Sequence, residues 1–368
     1  MIITVVRETL HEILQNASLF SSTKINDIKV LKSVLITAKK NGIVIQTTNM
    51  EESFKGEIGG KVENTGSALV DFKTFFELIR SLSETKVKLE KKEKFFQIIS
   101  SSGKIKLPLL NEKEFPQLPL KEEGEVIDPK LFSPTLIEPL IFSCATDEAR
   151  PILTGLCYDF SEKETRVVGT DGFRLSLLIL KETFPFAKNE KIIVPARSLS
   201  SVLKIFPKGI ETSHYLKTSR QIVIKGNGIN LTIRLLQGEF PPYEKVIPSS
   251  NDTAVVFSRE EFFQALRSVS LFARSGANML ILEINKKNLS LFSAGTGVGE
   301  AKLSIPLLSF EGKKNKITFN YRFLWDYLSV VKNKEIEFTM TNAFSPGVFK
   351  GKGKQAGLHI IMPVRSQE

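Results

Sequence analysis

Val70-Asp71-Phe72-Lys73-Thr74-Phe75-Phe76-Glu77-Leu78-Ile79-Arg80-Ser81-Leu82 sets apolar residues at Phe75, Ile79 and Leu82, three and four positions apart. That spacing predicts an amphipathic helix entered from a strand, with one stripe turned to a core. The pattern returns 124 positions on, in Val194-Pro195-Ala196-Arg197-Ser198-Leu199-Ser200-Ser201-Val202-Leu203-Lys204-Ile205-Phe206, with the stripe at Leu199, Leu203 and Phe206. A further 125 positions on stands Phe319-Asn320-Tyr321-Arg322-Phe323-Leu324-Trp325-Asp326-Tyr327-Leu328-Ser329-Val330-Val331, striped by Leu324, Leu328 and Val331. A near-constant offset of this size marks an internal repeat.

Working outward, each repeat opens on a second helical stretch: Arg7 to Ala17, about Pro129 to Ser143, and Ser258 to Phe272. In the third, Ser258 with Glu261 three residues on forms a capping box. Between the helices lie segments that alternate apolar and polar residues, such as Gly42-Ile43-Val44-Ile45-Gln46-Thr47, Arg220-Gln221-Ile222-Val223-Ile224-Lys225 and Asn288-Leu289-Ser290-Leu291-Phe292-Ser293. These read as half-buried antiparallel strands. Glu114-Phe115-Pro116-Gln117-Leu118-Pro119 and Glu239-Phe240-Pro241-Pro242-Tyr243 end two repeats alike, and their prolines suit linkers. The expected architecture is α+β: three repeated domains, 1–120, 121–248 and 249–368, each with two helices packed on antiparallel sheet. A chain of 368 residues, 42% hydrophobic and 25% charged, is long enough for several such cores.

The middle repeat holds Val167-Val168-Gly169-Thr170-Asp171-Gly172-Phe173-Arg174-Leu175-Ser176-Leu177, a strand, a two-residue Asp-Gly turn and a second alternating strand. Taken alone, it is a hairpin without a task.

Charge singles out the repeated helix. Lys73, Arg197 and Arg322 occupy one equivalent position, and Arg80 and Lys204 recur seven residues later on the same face, where Ser329 breaks the pattern. With a net charge of +11 and a pI near 9.4, the chain is drawn to polyanions. A solvated face accounts for any one of these cations, but one basic face on three equivalent helices fits an anionic partner that passes all of them. A domain of this size has a radius of gyration of about 14 Å, hence a diameter of roughly 35 Å. Three such spheres in a ring leave a hole about 3 Å in radius and six leave about 17 Å, against a duplex radius of roughly 10 Å. Six domains require two chains, joined head to tail around duplex DNA.

Other functions find little footing. The N-terminus Met1-Ile2-Ile3-Thr4-Val5-Val6-Arg7 reads as a strand, no apolar run reaches about 18 residues, and the expected location is the cytoplasm. Cys144 and Cys157 lack metal-ligand spacing and His11, His214 and His359 are far apart, so reduced core thiols and no metal or cofactor are expected. Gly295-Thr296-Gly297-Val298-Gly299 lacks the following Lys of a nucleotide loop and reads as a hairpin turn. The alternative is an enzyme on phosphorylated or nucleic-acid substrates using Asp171 and Arg174. A basic membrane-surface protein would need a helix with a broad free apolar face, and each helix here needs its stripe for a core.

Three segments carry a resemblance: Thr170-Asp171-Gly172-Phe173-Arg174-Leu175, Phe240-Pro241-Pro242-Tyr243-Glu244-Lys245-Val246 and Met362-Pro363-Val364-Arg365. Over its whole length the chain resembles the bacterial DNA polymerase III beta subunits, the sliding clamps. The resemblance implies a non-catalytic homodimeric ring on duplex DNA, with no membrane role. It tethers the replicative polymerase, the clamp loader and repair proteins through a pocket for Gln-x-x-Leu-Phe-like peptides. Carried over, that pocket comprises Leu153, Gly155, Thr170, Gly172, Phe173, Arg174, Leu175, Pro241, Lys245, Val246, Ser345, Pro346, Ile360, Met362, Pro363, Val364 and Arg365, with Arg174 holding a peptide carbonyl or carboxylate. The family also implies Ile105 and Leu107 against Leu271 and Phe272 at the dimer interface. Taken alone, Met362-Pro363-Val364-Arg365 is a terminal edge strand. The chain departs from the family pattern in Phe173, where many members have His, in Lys245 for Arg, in the extension Ser366-Gln367-Glu368, in Ile28-Lys29-Val30-Leu31 where Leu-Pro-Ile-Leu is frequent, and in its positive charge.

Overall fold

Ile3 and Val5 are buried and alternate with more exposed neighbours, which makes the first strand, β1 (Ile2–Val6), one-sided. The rest of the first repeat is α1 (Arg7–Ala17), β2 (Ser33–Lys39), β3 (Gly42–Thr48), β4 (Glu52–Ile58), β5 (Lys61–Asn64), β6 (Gly66–Asp71), α2 (Phe72–Ser81), β7 (Lys86–Lys91), β8 (Phe95–Ser100) and β9 (Gly103–Pro108). The second is β10 (Glu125–Ile127), α3 (Pro134–Ile141), β11 (Gly155–Phe160), β12 (Thr165–Thr170), β13 (Arg174–Leu180), β14 (Lys191–Pro195), α4 (Ala196–Ile205), β15 (Thr212–Leu216), β16 (Gln221–Gly226) and β17 (Ile229–Arg234). The third is β18 (Thr253–Ser258), α5 (Arg259–Ala273), β19 (Met279–Ile284), β20 (Asn288–Gly295), β21 (Gly299–Pro306), β22 (Ser309–Gly312), β23 (Asn315–Asn320), α6 (Tyr321–Val330), β24 (Glu335–Met340), β25 (Gly347–Gly351) and β26 (Leu358–Ile361). The computed structural model describes all residues except 23–27, 102, 119–123, 148, 185–188, 296, 354–356 and 365–368. The expected boundary at 120, Thr296, Arg365 and Ser366-Gln367-Glu368 lie outside the described residues.

The chain forms two compact units, Met1–Ser133 with Ser200–Leu235, and Pro134–Leu199 with Leu236–Glu368. Unit one holds a five-stranded sheet, β5-β1-β7-β8-β9, and an eight-stranded sheet, β10-β15-β16-β17-β4-β3-β2-β6. Unit two holds a nine-stranded sheet, β14-β11-β12-β13-β26-β25-β24-β18-β22, and a four-stranded sheet, β21-β20-β19-β23. In every repeat the first strand joins the last three in one sheet, extended by β5 in the first repeat and β22 in the third, and the remaining middle strands form another. The units therefore do not follow the sequence repeats, because the middle repeat lends one sheet to each neighbour. β17 pairs antiparallel with β4 in unit one, and β13 with β26 in unit two.

Two residues of each helix stripe reach the core, Leu199 and Phe206 being those of the α4 stripe, while Leu82, Leu203 and Val331 are half-buried. Phe75 and Ile79 of α2 are fully buried, with Phe75 edge-on to Phe96 at 5.9 Å. Leu324 and Leu328 of α6 join a cluster with Phe257, Phe262, Phe319, Phe338 and Phe349. Each such side chain contributes roughly 1.5–3 kcal/mol of transfer free energy. Ser258 Oγ accepts from the Glu261 amide at 3.4 Å, which makes Ser258 the N-cap of α5. The stretch 129–143 departs from a single helix: a 3-10 turn spans Pro129–Phe132, and α3 follows from Pro134 to Ile141. Pro134 cannot donate into a preceding turn, so it restarts the helix instead of continuing it. No helix among the described residues is long and apolar enough to cross a membrane.

Candidate functional site

Four neighbouring strands of unit two bring distant segments into one row. Thr170 faces Leu175, Leu175 faces Ile360, and Ile360 faces Val348 across β12, β13, β26 and β25. Side chains in register share a face, so Leu153, Leu175 and Ile360 come together in one apolar cluster with Phe240 and Tyr243 of the linker. Gly155 must be glycine here, since a Cβ would stand 2.8 Å from the Val194 carbonyl oxygen and 2.9 Å from Leu236. β26 runs between β13 and β25, so the C-terminal segment is not an edge strand. It leaves the sheet after Ile361: the Met362 amide donates to the Phe173 carbonyl at 2.9 Å, and the Val364 amide to that of Thr318 at 2.8 Å. The Met362 side chain is 37% exposed at the rim, with Val246 at 36% and Phe173 at 59%. Pro241 and Lys245 are exposed, and Ser345, Pro346, Pro363 and Val364 are half-buried.

The turn at the head of this row is longer than Asp-Gly alone, spanning 171–173 between β12 and β13. Asp171 Oδ1 accepts from the amides of Phe173 and Arg174 at 2.9 and 3.0 Å. Thr170 Oγ1 donates to the Arg174 carbonyl at 2.6 Å and accepts from the Gly172 amide at 3.1 Å. Gly172 supplies the φ of +89°. These side-chain bonds to backbone replace the tighter two-residue closure. Arg150 lies beside this turn, 5.9 Å from the Phe173 ring centroid.

Arg174 departs from its expected task. Its Nε donates to Asp171 Oδ2 at 3.0 Å, Nη1 to Asp326 Oδ2 at 2.6 Å and Nη2 to the Phe142 carbonyl at 2.7 Å. The side chain is only 10% exposed, so the guanidinium is spent inside the protein and not offered to a peptide carboxylate. The Asp171–Arg174 pair of the enzyme alternative is likewise engaged with itself. Tyr243 of the linker is anchored by Asp159 and Lys191, which the sequence does not single out: Tyr243 donates to Asp159 Oδ2 at 2.8 Å, and Lys191 pairs with Asp159 at 3.2 Å. Aromatic residues flanking Pro241-Pro242 were the available signal.

On the helices, Lys73, Arg197 and Arg322 are each the second residue of α2, α4 and α6 and all are exposed, as are Arg80 and Lys204. Arg80 pairs with Glu77 at 2.5 Å on the surface. Asp71 and Asn320 cap two of these helices through the amides of Thr74 and Arg322.

Two of the strands that end a sheet concern the expected dimer contact. β9, carrying half-buried Ile105 and buried Leu107, ends the five-stranded sheet, and β21 ends the four-stranded one. Beside β9 lies a cavity of about 360 Å³ lined by Lys29, Lys32, Asp71, Thr74, Leu107, Pro108 and Leu110. Ile28-Lys29-Val30-Leu31 enters the 3-10 turn Lys29–Lys32, with Val30 and Leu31 buried. Leu271 on α5 is 62% exposed and Phe272 half-buried. Both cysteines are buried and their thiols pushed up to about 12, mainly by loss of water.

Residues 1–119, 127–242 and 244–365 match the N-terminal, central and C-terminal domains of the DNA polymerase III beta subunit. The beta sliding clamp of Bacillus subtilis (strain 168) is 27% identical over 376 residues, spanning 99% of both chains. The crystal structure of the Bacillus subtilis DNA polymerase sliding clamp superposes with a TM-score of 0.91 at 26% identity, covering 100% of this chain and 99% of that one. The DNA polymerase III beta subunit of Thermotoga maritima gives a TM-score of 0.87 at 25% identity, covering 99% of both.

Proposed function

The chain belongs to the DNA polymerase III beta subunit family, and on that premise we infer that it is a DNA sliding clamp, a non-catalytic subunit that holds the replicative polymerase on duplex DNA. The clamp loader and repair proteins are further partners. The observation that carries the reading is the repeated helix with an exposed cation at its second position in α2, α4 and α6. The enzyme alternative finds no support, since the family is non-catalytic and Arg174 is bonded to Asp171, Asp326 and the Phe142 carbonyl.

Four details extend that reading. The sequence domains run 1–120, 121–248 and 249–368. Lys73, Arg80, Arg197, Lys204 and Arg322 touch phosphates without reading bases. Two chains close a head-to-tail ring through β9 of one protomer and β21 of its partner, with Leu271 and Phe272 of one chain entering the cavity beside Leu107 of the other. The protein works in the cytoplasm.

The tethering site is the apolar row beneath Thr170, Leu175, Ile360 and Met362, with Leu153, Gly155, Gly172, Phe173, Pro241, Lys245, Val246, Ser345, Pro346, Pro363, Val364 and Arg365 around it. Burying one Leu and one Phe contributes roughly 3–6 kcal/mol before ordering costs, so micromolar binding is expected. Fluorescence anisotropy with a labelled Gln-x-x-Leu-Phe peptide tests it. Met362→Asp, which sets an uncompensated charge at the rim, is expected to weaken binding at least tenfold; unchanged affinity, or no wild-type binding at hundreds of micromolar, removes this site.

A further inference from the structure

We propose that Arg174 is a positioning residue that ties the pocket-wall turn to helix α6 and masks the Asp326 carboxylate beside Arg322. The proposal rests on the clamp reading, because it joins the peptide site to the DNA-facing helix of that reading.

The geometry begins with three donors going three ways. Nε reaches back to Asp171 within the turn, Nη1 crosses to Asp326 on α6, and Nη2 reaches the Phe142 carbonyl just after α3. The rings of Phe142 and Phe323 flank the guanidinium, 5.4 and 4.8 Å from its carbon. A planar fork held between two rings, with two carboxylates and a carbonyl on its edge, has one orientation available. A lysine ammonium has no such fork and cannot serve the three directions at once. The turn thereby gains a fixed distance to α6, and the same turn sets the height of Thr170, Gly172 and Leu175 in the pocket row.

The second half concerns charge. Asp326 lies four residues after Arg322, hence on the same helix face, and its side chain is 42% exposed. A free carboxylate there would draw the Arg322 guanidinium away from a phosphate and repel the polyanion. Paired with Arg174, it does neither. A residue in the wall of the peptide site therefore conditions DNA contact at α6, and Asp326 on α6 conditions the peptide site.

Four variants separate this from a direct peptide contact: Arg174→Lys, Arg174→Gln, Asp326→Ala and the double Arg174→Gln/Asp326→Ala. Each is measured against a labelled Gln-x-x-Leu-Phe peptide, with free or amidated C-terminus, and against a short linear duplex. Arg174→Gln is expected to lower peptide affinity about tenfold and duplex affinity about threefold, with Arg174→Lys failing to restore either. Asp326→Ala, whose bond to the described pocket residues runs through Arg174, is expected to lower peptide affinity about fivefold. In the double variant duplex affinity returns to the wild-type level, while peptide affinity falls no further than in Arg174→Gln. Free and amidated peptides lose affinity equally. Wild-type peptide affinity in Asp326→Ala, additive losses in the double variant, or a loss confined to the free-carboxylate peptide overturns the strut alone. Should Arg174→Gln fail to fold, Asp326→Ala alone decides. A wild type that binds neither probe overturns the clamp reading, and the strut with it.

Discussion

Burial keeps the His359 imidazole neutral. The residue is 1% exposed, stacked on Tyr327 at 4.8 Å and tilted against Phe142 at 5.2 Å, with Nδ1 bonded to Ser176 Oγ at 2.8 Å. Loss of water, then the charge of Arg174, pushes its pKa down to about 3. In the unfolded chain the ordinary value is about 6.5. Between these two values the unfolded state binds more protons, so stability is full above pH 6.5 and falls as the solution is acidified towards 3. The slope approaches about 1.4 kcal/mol per pH unit, or roughly 2 kcal/mol lost by pH 5. His359→Phe keeps the stacking and leaves Ser176 bonded to Ser143, whose hydroxyl is 2.6 Å away. Urea unfolding midpoints from pH 7.5 to 5 are expected to fall with acid in the wild type and far less in His359→Phe. Equal slopes would mean that other groups govern acid sensitivity.

Helices α2, α4 and α6 break a local rule that α1 and α5 obey. The first turns of α1 and α5 offset Arg7 and Arg259 with Glu8 and Glu260-Glu261, as the positive end of a helix dipole favours, whereas the other three carry a cation at their second position and no acid within the first turn, Asp71 standing before α2 as its N-cap. Each misplaced cation costs roughly 0.3–1 kcal/mol, and departures of this kind gather where function demands them. Replacing Lys73, Arg197 and Arg322 together with Gln is expected to raise the melting temperature or leave it unchanged. The same change is expected to weaken binding to linear duplex and to flatten its log-log salt dependence by about 0.9 per residue. A lower melting temperature with unaltered duplex binding would make these cations structural. The helices and their basic face were legible in the sequence because periodicity and charge are local. Long-range pairing was not: Asp326 stands 152 residues from Arg174, and nothing in its neighbourhood announces the ion pair. The break in 129–143 turns on Pro134, which the repeat pattern does not register, and the longer turn at 171–173 depends on Asp171 bonding two amides, which Asp-Gly alone does not specify.

At the scale of the whole molecule, equivalence between repeats says what is missing. One end strand of the middle sheet in each repeat is β4, β13 or β21, and the last strand of the repeat is β9, β17 or β26. Within the chain β4 finds β17 and β13 finds β26, which leaves β21 and β9 as open edges. An open edge is a template for pairing, and a heterologous contact between unlike edges of two copies closes when the rotation allows. Two chains supply two such junctions and six repeats. Leu271→Asp with Phe272→Asp sets charges in that contact, and light scattering is expected to report monomers where the wild type is a dimer. A ring is held on DNA by topology, whereas phosphate contacts fade as screening shortens to about 3 Å near 1 M salt. Wild-type protein placed on nicked circular DNA by a clamp loader is therefore expected to remain bound at about 1 M salt and to leave once the circle is cut. The double Asp variant is expected to leave both forms alike. If the wild type dissociates equally from circle and line, electrostatics alone binds the DNA and the β9–β21 closure is wrong.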